Sequence, residues 1–332
     1  MKIINRTTSA LALLALTAIQ SVAQLNSQPY AFSTLAGGGG YSTNQAGSAA
    51  RFALPLCVAV DSAGNVYVAD SGNNSISKVT SAGAVTTLAG RPGSFGTANG
   101  TGSAARFKQP SGVALDSSGN IYVADTLNHT IRKVTPTGVV TTLAGQAGNR
   151  GSANGTGSAA QFYQPWGIAV DNAGNVYVGD SCNHTIRKVT PAGVVTTLAG
   201  LAGSTGSADG TNRNARFNFP SQVTVDSATN IYVATDGDHT IRKLTPVGAN
   251  WVVTTLAGVA GSSGSADGMN SDARFNTPFG VTVDSAGNLY VADTVNSLIR
   301  KMTLEGTNWL VTTIAGLAGS TGSADGTNST LL

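Results

Sequence analysis

Apolar residues come along this chain in short β-branched bursts, separated by reversals rich in Gly, Asn and Pro, and the whole arrangement repeats. The string TLAG stands at 34–37, 87–90, 142–145, 197–200 and 255–258, and returns as TIAG at 313–316. One copy serves as template. Pro110-Ser111-Gly112 leads into Val113-Ala114-Leu115-Asp116, and Ser117-Ser118-Gly119-Asn120 turns the chain. Ile121-Tyr122-Val123-Ala124-Asp125 follows, then Thr126-Leu127-Asn128, then His129 through Thr135. Pro136-Thr137-Gly138 turns again into Val139 through Ala144. Val, Ile, Tyr and Thr favour a pleated, packed surface, and Gly-Asn and Pro-x-Gly supply the angles of tight reversals. The pattern predicts four short antiparallel strands per copy. Apolar side chains point to both faces: Ile121 and Val123 to one, Tyr122 and Ala124 to the other. Such a sheet must be covered on both sides, and stacking sheets radially around an axis does this. The fold class expected is an all-β propeller.

The repeat arithmetic leaves two ring sizes open. There are six copies of the fourth strand, counting residues 30–36, but five of the first three strands. The expectation is an incomplete six-bladed ring with the chain ending inside a sixth repeat; the alternative is a closed five-bladed ring. An unclosed ring exposes strand edges, which invites self-association.

The run from Pro110 through Val134, with YVAD, then Asn128-His129, then IRKV, resembles the NHL repeat, named for an Asn-His-Leu triplet. Here the triplet reads Asn-His-Thr at 128–130 and 183–185 and Asp-His-Thr at 238–240; the other copies carry Asn74-Ser75 and Asn296-Ser297. The resemblance covers nearly all of residues 30–326. It implies propeller blades and, for most relatives, a platform that binds protein or RNA or senses extracellular ligands. A minority of such propellers are enzymes.

The first residues read differently. Lys2 and Arg6 precede an apolar run at 8–19, and Ser21-Val22-Ala23 offers small residues for a signal peptidase. Residues 1–23 are expected to be a signal peptide, giving a secreted or periplasmic protein with the propeller at 24–332 and no membrane insertion after cleavage. Of 19 basic and 16 acidic residues, two basic ones lie in that segment, so the remainder is close to neutral. That argues against a polyanion partner, since nucleic-acid binding draws on clustered Lys and Arg. Cys57 and Cys182 fall at unrelated repeat positions, and two free thiols are expected.

Repetition itself sorts the candidate chemistry. His129, His184 and His239 hold one slot in successive blades, ~10 Å apart, too far to share a zinc that wants ligands within ~2.0–2.3 Å; a structural loop role is expected. Asp61, Asp116, Asp171, Asp226 and Asp284 read as turn caps. Asp70, Asp125, Asp180 and Asp293 end the second strand, where copy four has Thr235. Arg51, Arg106, Arg216 and Arg274 precede Phe, whereas copy three has Gln161. If each Arg paired with the strand-end Asp of the next blade, the losses at 161 and 235 would be one event. Asp236 and Asp238 form a weak calcium alternative, and no cofactor is expected. The long Gly-rich segments after each TLAG read as a binding surface or lid.

What breaks the repetition is the better guide to a site. Leu56, Ser111, Trp166, Ser221 and Phe279 follow the repeat proline, and the next position holds Cys57, Gly112, Gly167, Gln222 and Gly280. These enter the innermost strand and are expected at one mouth of the channel. Trp166, Phe279, Tyr163, Leu56, Ser111, Ser221 and Gln222 are the predicted ligand contacts. The function expected is an exported scaffold binding a protein or glycan through its loop-rich face. The alternative is a lactonase-like hydrolase or lyase with a metal at the channel mouth.

Overall fold

The computed structural model describes residues 2–5, 30–37 and 47–327. Of the expected signal peptide, 1–23, residues 1 and 6–23 lie outside them. Five four-stranded antiparallel sheets stand in a ring and form a five-bladed β-propeller, the smaller of the two counts the repeats allowed. Blade one comprises Pro55–Val60, Val66–Asp70, Ser75–Val79 and Val85–Gly90. Blade two comprises Pro110–Leu115, Ile121–Asp125, Thr130–Val134 and Val139–Ala144, as the template predicts. The first strands of blades three, four and five are Pro165–Val170, Pro220–Val225 and Pro278–Val283. These five first strands surround the axis.

Each turn between first and second strands is organised by the predicted Asp. In blade two, Asp116 Oδ1 accepts from the amides of Ser118 and Asn120, while Oδ2 accepts from Asn120 Nδ2 and the Tyr122 hydroxyl. The same set recurs around Asp61, Asp171, Asp226 and Asp284. The core lies in the seams between blades. Tyr122, Ala124 and Ile131 of blade two, with Phe162 of the connecting loop, pack on Ile168, Val176 and Val178 of blade three. Blade separation is set by missing side chains: a Cβ on Gly112 would run into the Trp166 carbonyl, and one on Gly167 into the Ser221 carbonyl.

Among the described residues the Gly-rich segments lie at the rim of the blades. Four of them run along the outer edge of the blade that follows, blades two to five, and add a short fifth strand, as Gly100-Thr101 does on Val139-Val140. Asn99, or Asp209 and Asp267 in later copies, accepts from the blade's outer Thr and from the Arg of its third strand, fastening the blade at its rim.

A last rim element completes the circuit. Ala31–Thr34 pairs with Lys2–Asn5 on one edge and with Gly326–Thr327 on the other. Asp325 accepts from the Thr34 amide and hydroxyl, as Asp267 does from Thr313. This strand stands where the fourth strand of a blade would stand, between blades five and one.

Candidate functional site

In four of the blades a buried carboxylate or its replacement ties the second strand to the third. Asp125 sits at the end of the second strand, where the chain turns into the third. Its Oδ1 accepts from the Lys108 amide, and its Oδ2 accepts from Asn128 Nδ2 at 2.8 Å and Arg132 Nη1 at 2.7 Å. Burial pushes this carboxyl up to about 6, against the opposing pull of Arg132. Asp180 with Arg187 and Asp293 with Arg300 repeat the pair. The predicted partnership between Arg106 and Asp180 is therefore wrong. Arg106 Nη1 donates instead to the carbonyls of Ser103 and Ala105, and the Asp takes the Arg seven residues along its own hairpin.

Copy four moves its charge. Thr235 replaces the Asp, and its hydroxyl meets Thr240. Arg242 finds Asp209 at 2.7 Å, where copies two and three have Asn99 and Asn154. Asp238 takes the slot of Asn128. Burial pushes Asp236 and Asp238 up to about 6. Asn218 Nδ2 donates to the Gly237 carbonyl, using one oxygen of this loop. Two carboxylates fall well short of the six to eight oxygens calcium takes. Among the described residues no group of three or more His, Cys, Asp or Glu could hold a metal ion.

The histidines are latches between blades. His129, His184 and His239 adopt φ near 60° (60, 58 and 59), and each Nδ1 accepts the first amide at the entrance of the next blade. The donors are Gln164 at 3.2 Å, Phe219 at 3.3 Å and Thr277 at 3.1 Å. An accepting Nδ1 requires a neutral ring, and burial holds His129 and His184 below the ordinary histidine value. Blade one does the same job with Asn74 Oδ1 on the Gln109 amide.

The channel is where repetition fails. A cavity of about 680 Å³ is walled by the first strands of all five blades. Leu56, Cys57, Trp166, Gln222 and Phe279 line it. Trp166 of blade three and Phe279 of blade five meet edge to face, with centroids 5.2 Å apart. Gln222 Nε2 donates to the Ile168 and Val223 carbonyls. Burial pushes the Cys57 thiol up, which leaves it a poor nucleophile. None of the lining residues is Asp, Glu or His.

Of the predicted contacts, Leu56, Trp166, Gln222 and Phe279 come together here. Ser111 and Ser221 do not. Ser111 Oγ donates to the Trp166 carbonyl at 2.9 Å and Ser221 Oγ to the Phe279 carbonyl at 3.0 Å, so both are buried seam ties. Tyr163 is also elsewhere, with its hydroxyl accepting from Arg150 and its ring edge-on to His129. Sequence reasoning missed the wall residues Val58, Val60, Tyr290 and Ile299, which extend the cavity sideways between blades one and five.

NHL repeats are found in four of the five blades. The NHL repeat family matches residues 52–79, 107–134, 162–189 and 275–302. Those are copies one, two, three and five. The chain is similar to NHL repeat-containing protein 2 of Bos taurus, 34% identical over 175 residues, which is 49% of this chain and 24% of that protein. It thus spans about a quarter of that relative's length. Among solved structures it resembles a gluconolactonase from Xanthomonas campestris, with TM-score 0.57, 14% identity, and 88% and 82% of the two chains covered. It also resembles a chain of a nidogen/laminin complex, with TM-score 0.52, 21% identity, and 75% and 76% covered. These structural likenesses show the fold.

Proposed function

We propose that this chain is an exported binding scaffold that takes a protein or glycan at the mouth of its channel. One observation carries the reading. On a frame held by repeated turn caps, latches and rim ties, the channel gathers unrepeated aromatic and amide side chains in one place: Trp166, Phe279 and Gln222. Aromatic side chains supply large contact area and are enriched among residues that carry binding energy. The nidogen/laminin likeness supports a protein partner. The gluconolactonase likeness supports a hydrolytic alternative, but that chemistry needs acid, base or metal-ligating groups. The cavity walls offer no carboxylate or imidazole for such a role. Export rests on Lys2, Arg6 and the apolar run ending at Ser21-Val22-Ala23, and N-terminal sequencing of the protein recovered outside the cytoplasm would test it.

The test of binding is Trp166→Ser, which copies the residue of blades two and four. Purified wild type and variant are screened against glycan arrays and fractionated exported proteins. Binding to the wild-type hit falls at least tenfold with the melting temperature little changed. Undiminished binding by Trp166→Ser and Phe279→Ser together would remove the mouth as the site.

A further inference from the structure

Four of the seams are closed and one is open, though all are walled by the same residue types. Val58 on the first strand of blade one is 42% exposed and Val60 is 57% exposed. Val113, Ile168, Val223 and Val281, the counterparts of Val58, are at most 4% exposed. On the opposite wall, Tyr290, Ala292 and Ile299 of blade five are half-buried, whereas Tyr122, Ala124 and Ile131 are buried. The channel cavity opens into this gap, since Val58, Val60, Tyr290 and Ile299 all line it.

The outer part of the gap is built as a blade is built. Ala31–Thr34 stands in the fourth-strand position and is fastened by Asp325. Leu35, Ala36, Ala50 and Phe52 pack on Val66 and Val68 of blade one, as Leu143, Ala144, Ala160 and Phe162 pack on Val176 and Val178 of blade three. The inner edge of Ala31–Thr34 accepts a strand, because Lys2–Asn5 pairs along it antiparallel, Ile4 opposite Phe32.

We propose that this gap is a docking slot for one kind of occupant: the first three strands of a further NHL-type repeat. The slot continues the series of four blade-to-blade interfaces, so its walls specify the occupant. Against blade five it needs branched residues placed as Val113 and Val123 are. Against blade one it needs the Tyr, Ala and Ile placed as Tyr122, Ala124 and Ile131 are. Its third strand would add to the edge of Ala31–Thr34, as in β-augmentation. A second copy of this chain cannot supply those strands without dismantling a blade, because all five of its strand sets are built into the ring.

The probe is a synthetic polypeptide of residues 107–137, which carries the three strands of blade two. Mixed with the full chain, it forms a one-to-one complex by analytical ultracentrifugation and raises the melting temperature. Amides of Pro55–Val60 become slower in hydrogen exchange, and the peptide displaces Lys2–Asn5 from the edge of Ala31–Thr34. Val60→Asp leaves the melting temperature of the chain alone unchanged and weakens peptide binding at least tenfold. The proposal is overturned if the peptide does not bind, if a scrambled peptide binds as well, or if Val60→Asp binds as wild type does. It is equally overturned if the chain alone is a dimer that Val60→Asp dissociates, since a second copy then occupies the slot.

Discussion

The seam between blades two and three and the gap between blades five and one are made from one sequence pattern and differ in what they enclose. In the closed seam Ile131 is fully buried against the next blade, and His129 reaches across to the entrance of that blade. At the open side the equivalent Ile299 is only partly buried, and Ser297 stands in the histidine slot. Blade one, the other wall, also lacks the third-strand Arg: Ser77 replaces it, and burial alone acts on Asp70 beyond its Asn73 and Ala53 hydrogen bonds. A repeated unit is therefore not a unit of stability. What a residue contributes depends on whether its seam is filled.

The largest expected effect lies inside the closed side. Arg187→Ala strands Asp180, a buried carboxylate, and should cost about 3–5 kcal/mol by chemical denaturation. Blade one tolerates Ser77 because the pair was never formed there. A loss below about 1 kcal/mol would show that Asn183 and the Tyr163 amide hold Asp180 unaided.

Next comes the same truncation on the two sides. Ile131→Ala should cost roughly 2–5 kcal/mol through lost burial and the void left behind. Ile299→Ala should cost less than half as much, because its side chain is partly hydrated already. Equal losses in a denaturant titration would mean that the gap is closed in solution.

The histidine latches give a smaller, pH-dependent effect. Burial lowers the folded-state value of His129 and His184 below the unfolded one, so the unfolded chain binds more protons. Stability is then full above the ordinary histidine value of about 6.5 and falls as pH drops through it. His129→Asn, which copies the Asn74 latch of blade one, should flatten part of that fall while changing stability at pH 8 by about 1 kcal/mol or less. An unchanged slope between pH 7.5 and 5.5 would show that the ring stays neutral for another reason.

Much of this architecture was legible in the sequence, because it is carried by local, repeated signals. Val-Tyr-Val-Ala-Asp and Asp-x-x-Gly-Asn announce strands and turns from neighbouring residues alone. Leu56, Trp166, Gln222 and Phe279 stood out because they break a repeat at a position fixed near the axis. Ser111 and Ser221 misled for a reason invisible in sequence. The ladder slips between Pro110 and Gly112, and between Pro220 and Val223, turning those hydroxyls into the seam. The rim strands of the Gly-rich segments were not legible because their partners are distant: Asn99 meets Arg132 and Thr142, 33 and 43 residues away. The Arg106 pairing failed because two coincident losses suggested a link between blades. The hairpin placed a closer Arg beside each Asp.

The rim fastening has a consequence for how such a chain can grow. Residues 91–145, running from the end of one TLAG through the next, hold a Gly-rich segment, four strands and the Asn99 that ties the outermost of them down. The stretch that would be copied by a simple tandem duplication is thus also a finished part, with its own fastener attached. Head-to-tail copying adds a blade without any matching change elsewhere, and losing one copy subtracts a blade just as cleanly. Point substitutions can then accumulate at Trp166, Gln222 and Phe279 without disturbing the fastening. Lineages of such proteins should differ first in ring size and mouth residues, and last in the Asn, Arg and Asp of the rim.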